Sequence, residues 1–415
     1  MANMRSHKTV RLEDAHNLPF WRRPVALLFV MAAAMPLAFS VWSALLNNFV
    51  VEVADFDGVK IGWLQSVREI PGFLAVGVIA VLLFMREQIL GLVSLVALGA
   101  AVAVTSFFPT FEGLLVTTMI SSIGFHYYET VNQSLQLQWI SKEKAPQTLG
   151  WIVAMGSAAS LVAFGLIVLG WQYFGLTYTV AYLAGGGVTV ALAVFCWLAY
   201  PKFENPTAQR KEIVLRKRYW LYYAMQFAAG ARRQIFLVFA AFMMVERFGF
   251  EVHTLTALFL INYLVNILFA PVMGKALAVF GERNTLVFEY LGLSVVFSLY
   301  WGIYLFGWGA TLAASLFVID HLFFSLAFAR KTYFQKIADP EDMAPTAAVA
   351  FTINHIAAVF LPALLGYLWI VSPGAVFAFA AGLAVASLVL SLLIPRHPDK
   401  GAETIFAARR MQAAA

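Results

Sequence analysis

The chain has 415 residues, of which 61% are hydrophobic and only 12% charged, and its mean hydropathy is +0.79. About a quarter of the residues in a soluble domain are charged, so this chain cannot cover itself with polar surface and lipid must be its main solvent. A single cysteine, Cys196, excludes an internal disulfide framework, and the net charge of +6 sits in short loops, where it reports membrane topology and not a nucleic-acid partner.

The N-terminal segment, 1–23, is polar and mixed in charge and lacks the short apolar core of a cleaved signal. The first apolar run is therefore expected to remain as a membrane span. A helix needs about 20 apolar residues to cross hydrocarbon. On that rule spans fall near 24–49, 60–84, 89–108, 111–136, 147–170 and 177–199. A hydrophilic linker, 200–218, follows. Further spans fall near 219–245, 253–279, 284–306, 308–330, 345–370 and 374–394, before a tail at 395–415. The expectation is an all-α integral membrane protein of twelve transmembrane helices, in two pseudo-symmetric six-helix bundles at 24–199 and 219–394.

Basic residues alternate by side. Arg22, Arg23, Arg86, Lys142, Lys144, the linker, Lys275, Arg283, Arg330, Lys331, Lys336, Arg396 and Lys400 fall on one side, and only Lys60 and Arg247 on the other. The positive-inside rule then puts both termini in the cytoplasm. Short outer loops suit a plasma membrane of the bacterial inner-membrane kind.

The two halves repeat one another. Ala145-Pro146 opens span five and Ala344-Pro345 opens span eleven, while Phe125 and Gln136 map onto Phe324 and Gln335 at the same offset. The outer loop VEVADFD (51–57) resembles VERFGFE (245–251). Such parallel repeats are expected to surround a central site. Spans three, six and twelve hold no charge between their ends, and span nine holds only Glu289. Every third span therefore reads as lipid-facing scaffold.

Charges that persist inside hydrocarbon should face a cavity or a partner. In span two, Arg68 lies about 14 Å from the span's start at a rise of 1.5 Å per residue, and Glu69 follows it. They suit a site, and equally an ion pair bracing span two against span eleven. In span four His126, Glu129, Gln133 and Gln136 fall at i, i+3, i+7 and i+10, one helical stripe. A carboxylate and an imidazole there can exchange protons; a hydrogen-bonded brace or half of a metal site are the other readings. Tyr127, beside the stripe, suits stacking on a planar solute.

Span seven carries Arg232 and Arg233. Tyr222, Gln226 and Arg233 share a face, while Arg232 points about 100° away, toward a neighbouring helix. Span one has a milder stripe of Pro36, Ser40, Ser43 and Asn47, and span eight adds Asn262 and Asn266. Asp320 and His321 lie in span ten, where Arg330 and Lys331 near its end are expected to snorkel to the interface. Span eleven holds Asn354 and His355, the latter either a packing histidine or a functional one.

Two six-span halves, a basic central loop and scaffold at every third position together resemble the major facilitator superfamily, over essentially the whole chain. Its signature loop is similar to Gly274-Lys-Ala-Leu-Ala-Val-Phe280-Gly281-Glu282-Arg283, with Ala278 where relatives hold an acid. The equivalent FMREQILG (84–91) keeps only Arg86. The resemblance implies a secondary transporter that works by alternating access, with the first span of each three-helix unit lining the cavity.

The leading expectation is a proton-coupled carrier of a small anionic, and conceivably aromatic, organic solute. Substrate-binding candidates are Arg68, Arg232, Arg233, Gln226, Tyr127, Gln133, Asn262 and Asn266. Proton-coupling candidates are Glu129, His126, Asp320, His355 and Glu69. Efflux of lipophilic cations is the second reading, with the carboxylates as counter-charges, and a non-transporting sensor or assembly factor the third. No metal or cofactor is expected, and no ATP-binding signature occurs. No nucleophile–base–orienter set recurs, so catalysis is not expected. The partners foreseen are the solute, protons and lipid, for a monomer that binds no nucleic acid.

Overall fold

A computed structural model describes residues 9–74, 77–82, 84–140, 145–204, 215–324, 326, 328–339 and 342–414. Lys142, Lys144 and the linker interior at 205–214 lie outside the described residues, as does the side chain of Asn266. The chain divides into two compact units. The first comprises Met1–Ala54, Ile70–Arg210 and Val252–Ala257, and the second Asp55–Glu69, Lys211–Glu251 and Leu258–Ala415.

The helices are α1 (Pro24–Glu52), α2 (Gly58–Phe73), α3 (Gly77–Leu82), α4 (Glu87–Val104), α5 (Phe111–Trp139), α6 (Ala145–Phe174) and α7 (Tyr178–Ala199). There follow α8 (Trp220–Gln234), α9 (Ala241–Glu246), α10 (Val252–Phe306), α11 (Ala310–Phe324), α12 (Phe328–Ile337), α13 (Met343–Val371), α14 (Pro373–Leu392) and α15 (Ile405–Ala414). Among the described residues nine helices are long and apolar enough to cross a membrane.

Local chemistry sets the ends. Pro24 opens α1 and Pro373 opens α14, where a missing N–H costs nothing. Thr110, Thr177 and Ser372 cap α5, α7 and α14 by accepting from the backbone N–H groups of Gly113, Val180 and Ala375.

Within the first unit α1 packs on α4, α6 and α7, and α4 packs on α5. Buried Ser40 donates to Ser160 at 3.0 Å, and Thr189 donates to the Ala34 carbonyl at 2.8 Å. These bonds satisfy polar groups that lipid cannot. One feature departs from an all-α chain: β1 (Thr9–Arg11) pairs in parallel with β2 (Lys202–Glu204), Thr9 opposite Lys202. Gln88 holds β2 in place, donating to Pro201 O and accepting from Phe203 N, each at 2.9 Å.

In the expected span 60–84 the described helices are α2 and α3, and in 308–330 they are α11 and the start of α12. Within α10 two helices meet in a kink at Gly281, between the stretches expected as spans eight and nine, and the φ of 74° there is left-handed. Glycine enters that region without a Cβ penalty.

Candidate functional site

In the second unit the N-terminal half of α2 lies along α13. The contact is backbone to backbone: a Cβ at Gly62 would stand 2.3 Å from the Pro362 carbonyl oxygen, and one at Gly366 2.4 Å from that of Gly58. Small residues permit this approach in lipid. Pro362 interrupts the α13 ladder, and the neighbouring Ala363 N–H donates to Ser66 Oγ at 2.9 Å. This close packing brings charges together one turn further along. Arg68 pairs with Glu69 and donates through Nε to Gln65 at 2.7 Å. The Glu69 carboxylate lies 3.5 Å from His355 Nε2, and His355 Nδ1 is 2.9 Å from the Phe351 carbonyl.

α8 crosses α13 at Gly230, where a Cβ would meet the Asn354 carbonyl at 2.4 Å. One turn later Arg233 donates to Asn354 Oδ1 at 3.0 Å. Asn354 in turn donates to the Gln226 carbonyl, and the Gln226 amide to Tyr222 Oη at 2.9 Å. Tyr222, Gln226, Asn354, Lys331, Gln335 and Phe351 line a cavity of about 410 Å³, within the usual range for small-molecule sites. Tyr222 stacks on Phe334, which also borders it, with ring centroids 4.3 Å apart. Among the described residues, the hydrogen-bond partner of Arg233 is thus a neutral amide.

Arg232 turns the other way, into a buried cluster. Its guanidinium is 3.3 Å from Glu289 and lies over the Tyr290 ring. Arg330 meets the same carboxylate at 3.4 Å and donates to Tyr290 Oη at 3.0 Å. Arg330 therefore does not snorkel, and the Glu289 side chain of span nine does not face lipid. A carboxylate shared by two guanidiniums outweighs exposure of either at the interface. A six-residue π-helical segment, Ile235–Ala240, follows directly after these arginines; such segments rephase a helix and are frequent at functional sites.

The other expected residues lie as follows. Asp320 is 1% exposed, and its Oδ1 has no hydrogen-bond partner among the described residues. Asn262 is buried with Oδ1 in the same condition. In the first unit His126 is buried edge-on against Phe125, Glu129 is half-buried, and the Gln133 side chain is exposed. Tyr127 packs against the apolar cluster around Val131 and Leu135.

Glu289, Arg330, Lys331 and Gln335 were not among the expected site residues. The pair Lys331 and Gln335 carries a signal, since both lie on one face of α12 at i and i+4. The Glu289 partnership carries none, because its partners are remote in sequence.

No family model and no curated protein sequence matches the chain. Solved structures do. A point-mutant form of the nucleoside transporter NupG matches with a TM-score of 0.73 at 15% identity, over 89% of this chain and 99% of that one. A bacterial homologue of the iron transporter ferroportin, in its inward-facing state, gives 0.72 at 9% identity, over 90% and 98%. A bacterial homologue of the human lysosomal transporter Spinster gives 0.65 at 13%, over 93% and 96%. The chain has the fold of major facilitator superfamily transporters, and its long apolar helices make it an integral membrane protein.

Proposed function

We propose that the chain is a secondary active transporter that carries a small organic solute with an anionic group by alternating access. One observation carries the reading: Arg233 is a largely buried guanidinium whose partner is the neutral amide of Asn354, beside the cavity lined by that amide. Burying a cation is costly unless it is paired; the carboxylate that acts on Arg233, Glu69, is shared with Arg68 and His355, and a substrate carboxylate or phosphate would supply a bidentate partner of its own. Lys331 on the cavity lining adds a second positive group, three amides give orientation, and the Tyr222–Phe334 stack offers a flat wall to a planar solute.

The Glu69–His355 contact suits proton exchange, with Glu129, His126 and Asp320 as further coupling groups. Arg68 braces Glu69, and Arg232 serves the Glu289 cluster. The fold alone does not choose the cargo: the similar structures belong to nucleoside and iron transporters. The protein acts as a monomer in the plasma membrane, with both termini cytoplasmic.

Thermal stabilisation of the purified protein by small metabolites, at two pH values, tests this. A ligand of the native state at a hundred times its Kd adds about 2.7 kcal/mol. Carboxylates, phosphates or heterocyclic anions should raise Tm, and Arg233→Gln should abolish the shift while leaving protein yield unchanged. Stabilisation by lipophilic cations alone, abolished by Glu129→Gln, would replace this reading with cation efflux.

A further inference from the structure

We propose that the corner where α15 folds back on the start of α8 binds the headgroup of an anionic phospholipid. The segment leading into α15 is firmly held. Ile405 N donates to Leu393 O at 2.9 Å, Tyr333 Oη donates to Glu403 O at 2.6 Å, and Lys400 pairs with Asp339 at 2.6 Å. Between this segment and the start of α8 lies a cavity of about 450 Å³, lined by Lys217, Arg218, Trp220, Glu403, Arg410 and Met411 among others.

The charges in this cavity do not cancel. Arg218 pairs with Asp339 and lies 3.8 Å from Glu403, and Glu403 also accepts from Gly401 N at 3.0 Å. That leaves Lys217 and Arg410, both exposed, with no ion-pair partner among the described residues. Two cations thus border a cavity whose one carboxylate is already engaged.

Apolar groups surround them. Trp220 is 45% exposed, Phe406 50%, Met411 51% and Leu215 68%. Water alone would leave these side chains uncovered, and a free phosphate would neutralise the cations without covering them. Exposed aromatic and aliphatic groups interleaved with Lys and Arg are what a helix lying at a bilayer surface presents. Position agrees with composition. Lys217 begins a helix able to cross the membrane, α14, which ends at Leu392, is another, and α15 has only ten residues. The cavity therefore stands where the hydrocarbon ends and headgroups begin.

Native mass spectrometry of the full-length protein, titrated with phosphatidylglycerol, phosphatidylcholine or inorganic phosphate, tests the site. Phosphatidylglycerol should bind more tightly than phosphatidylcholine. The double variant Lys217→Gln/Arg410→Gln should lose about thirtyfold in that affinity, about fivefold for each cation near an anionic lipid surface. Lys217→Arg/Arg410→Lys should retain it, and Tm in phosphatidylcholine should be the same for all three proteins. Equal binding of the two lipids, or a double variant that binds phosphatidylglycerol like the parent, overturns the proposal. So does inorganic phosphate that competes phosphatidylglycerol away and binds the double variant thirtyfold more weakly, since that would make the corner a free-phosphate site.

Discussion

Arg232 and Arg233 are neighbours in sequence with opposite circumstances. Arg232 shares Glu289 with Arg330 in a fully buried cluster, whereas Arg233 meets the neutral Asn354 beside a cavity. Glu289→Gln leaves two buried guanidiniums without their common carboxylate, and breaking a buried pair in this way costs about 3–5 kcal/mol. The variant should show a marked drop in Tm and in monodisperse protein on size exclusion, whereas Arg233→Gln should leave protein yield unchanged. An unchanged Tm would mean that the cluster is not structural. The divergence of the two arginines was legible in the sequence, because consecutive residues on a helix point about 100° apart. Their partners were not. Glu289 stands in a span that otherwise reads as scaffold, and Arg330 sits where a chain end would let it reach water. Only the fold brings them within 3.4 Å.

At the scale of elements, the α2–α13 contact positions Glu69 against His355. It leaves no room for a methyl group, since the atom facing a Cβ at Gly62 is a backbone oxygen that cannot swing aside. Gly62→Ala should therefore cost about 1–3 kcal/mol as an overpacked contact, read as a fall in Tm. Trp63→Phe, which removes only the 3.2 Å bond to Tyr367, should cost about 0.5–1.5 kcal/mol. If Gly62→Ala is as mild as Trp63→Phe, the helices are not packed backbone to backbone. Helix positions were readable from apolar run length. The kink at Gly281 was not readable, since it depends on a local choice of backbone angle that hydropathy does not encode.

For the whole molecule, composition and apolar runs pointed to a helical membrane chain, and the resemblance of its two halves to the major facilitator superfamily pointed to the fold that the chain has. The small β1–β2 sheet was beyond reach, since strands of three residues have no periodicity to detect. A surface charge cluster ties the tail to the second unit, and its pH dependence can be derived. Lys400 donates to Asp339 and holds its carboxyl below the ordinary value. A lowered carboxyl contributes stability above its unfolded pKa, about 3.9, and loses it as pH falls through the lowered value. Lys400 is raised by Asp339, so its share is full below the ordinary lysine pKa of about 10.4 and is lost as pH rises past the raised one. The tail should hold from about pH 5 to about pH 10. A dye on Ala413→Cys, with Cys196 buried, should show steady anisotropy over that window and a fall below about pH 4. Asp339→Asn should lower the anisotropy at neutral pH. A flat profile down to pH 3 would show that the Lys400–Asp339 pair does not secure the tail.

The seating of Gly62 on Pro362 also has a consequence in time. Ribosomes add about 5–20 residues per second, so α2 leaves the ribosome roughly 15–60 s before its partner helix exists. Throughout that interval Glu69 lacks its His355 contact, and the glycine face of α2 is open to lipid or to insertion machinery. Helix α13 completes a contact begun by α2, so synthesis through α13 must precede closure of the site.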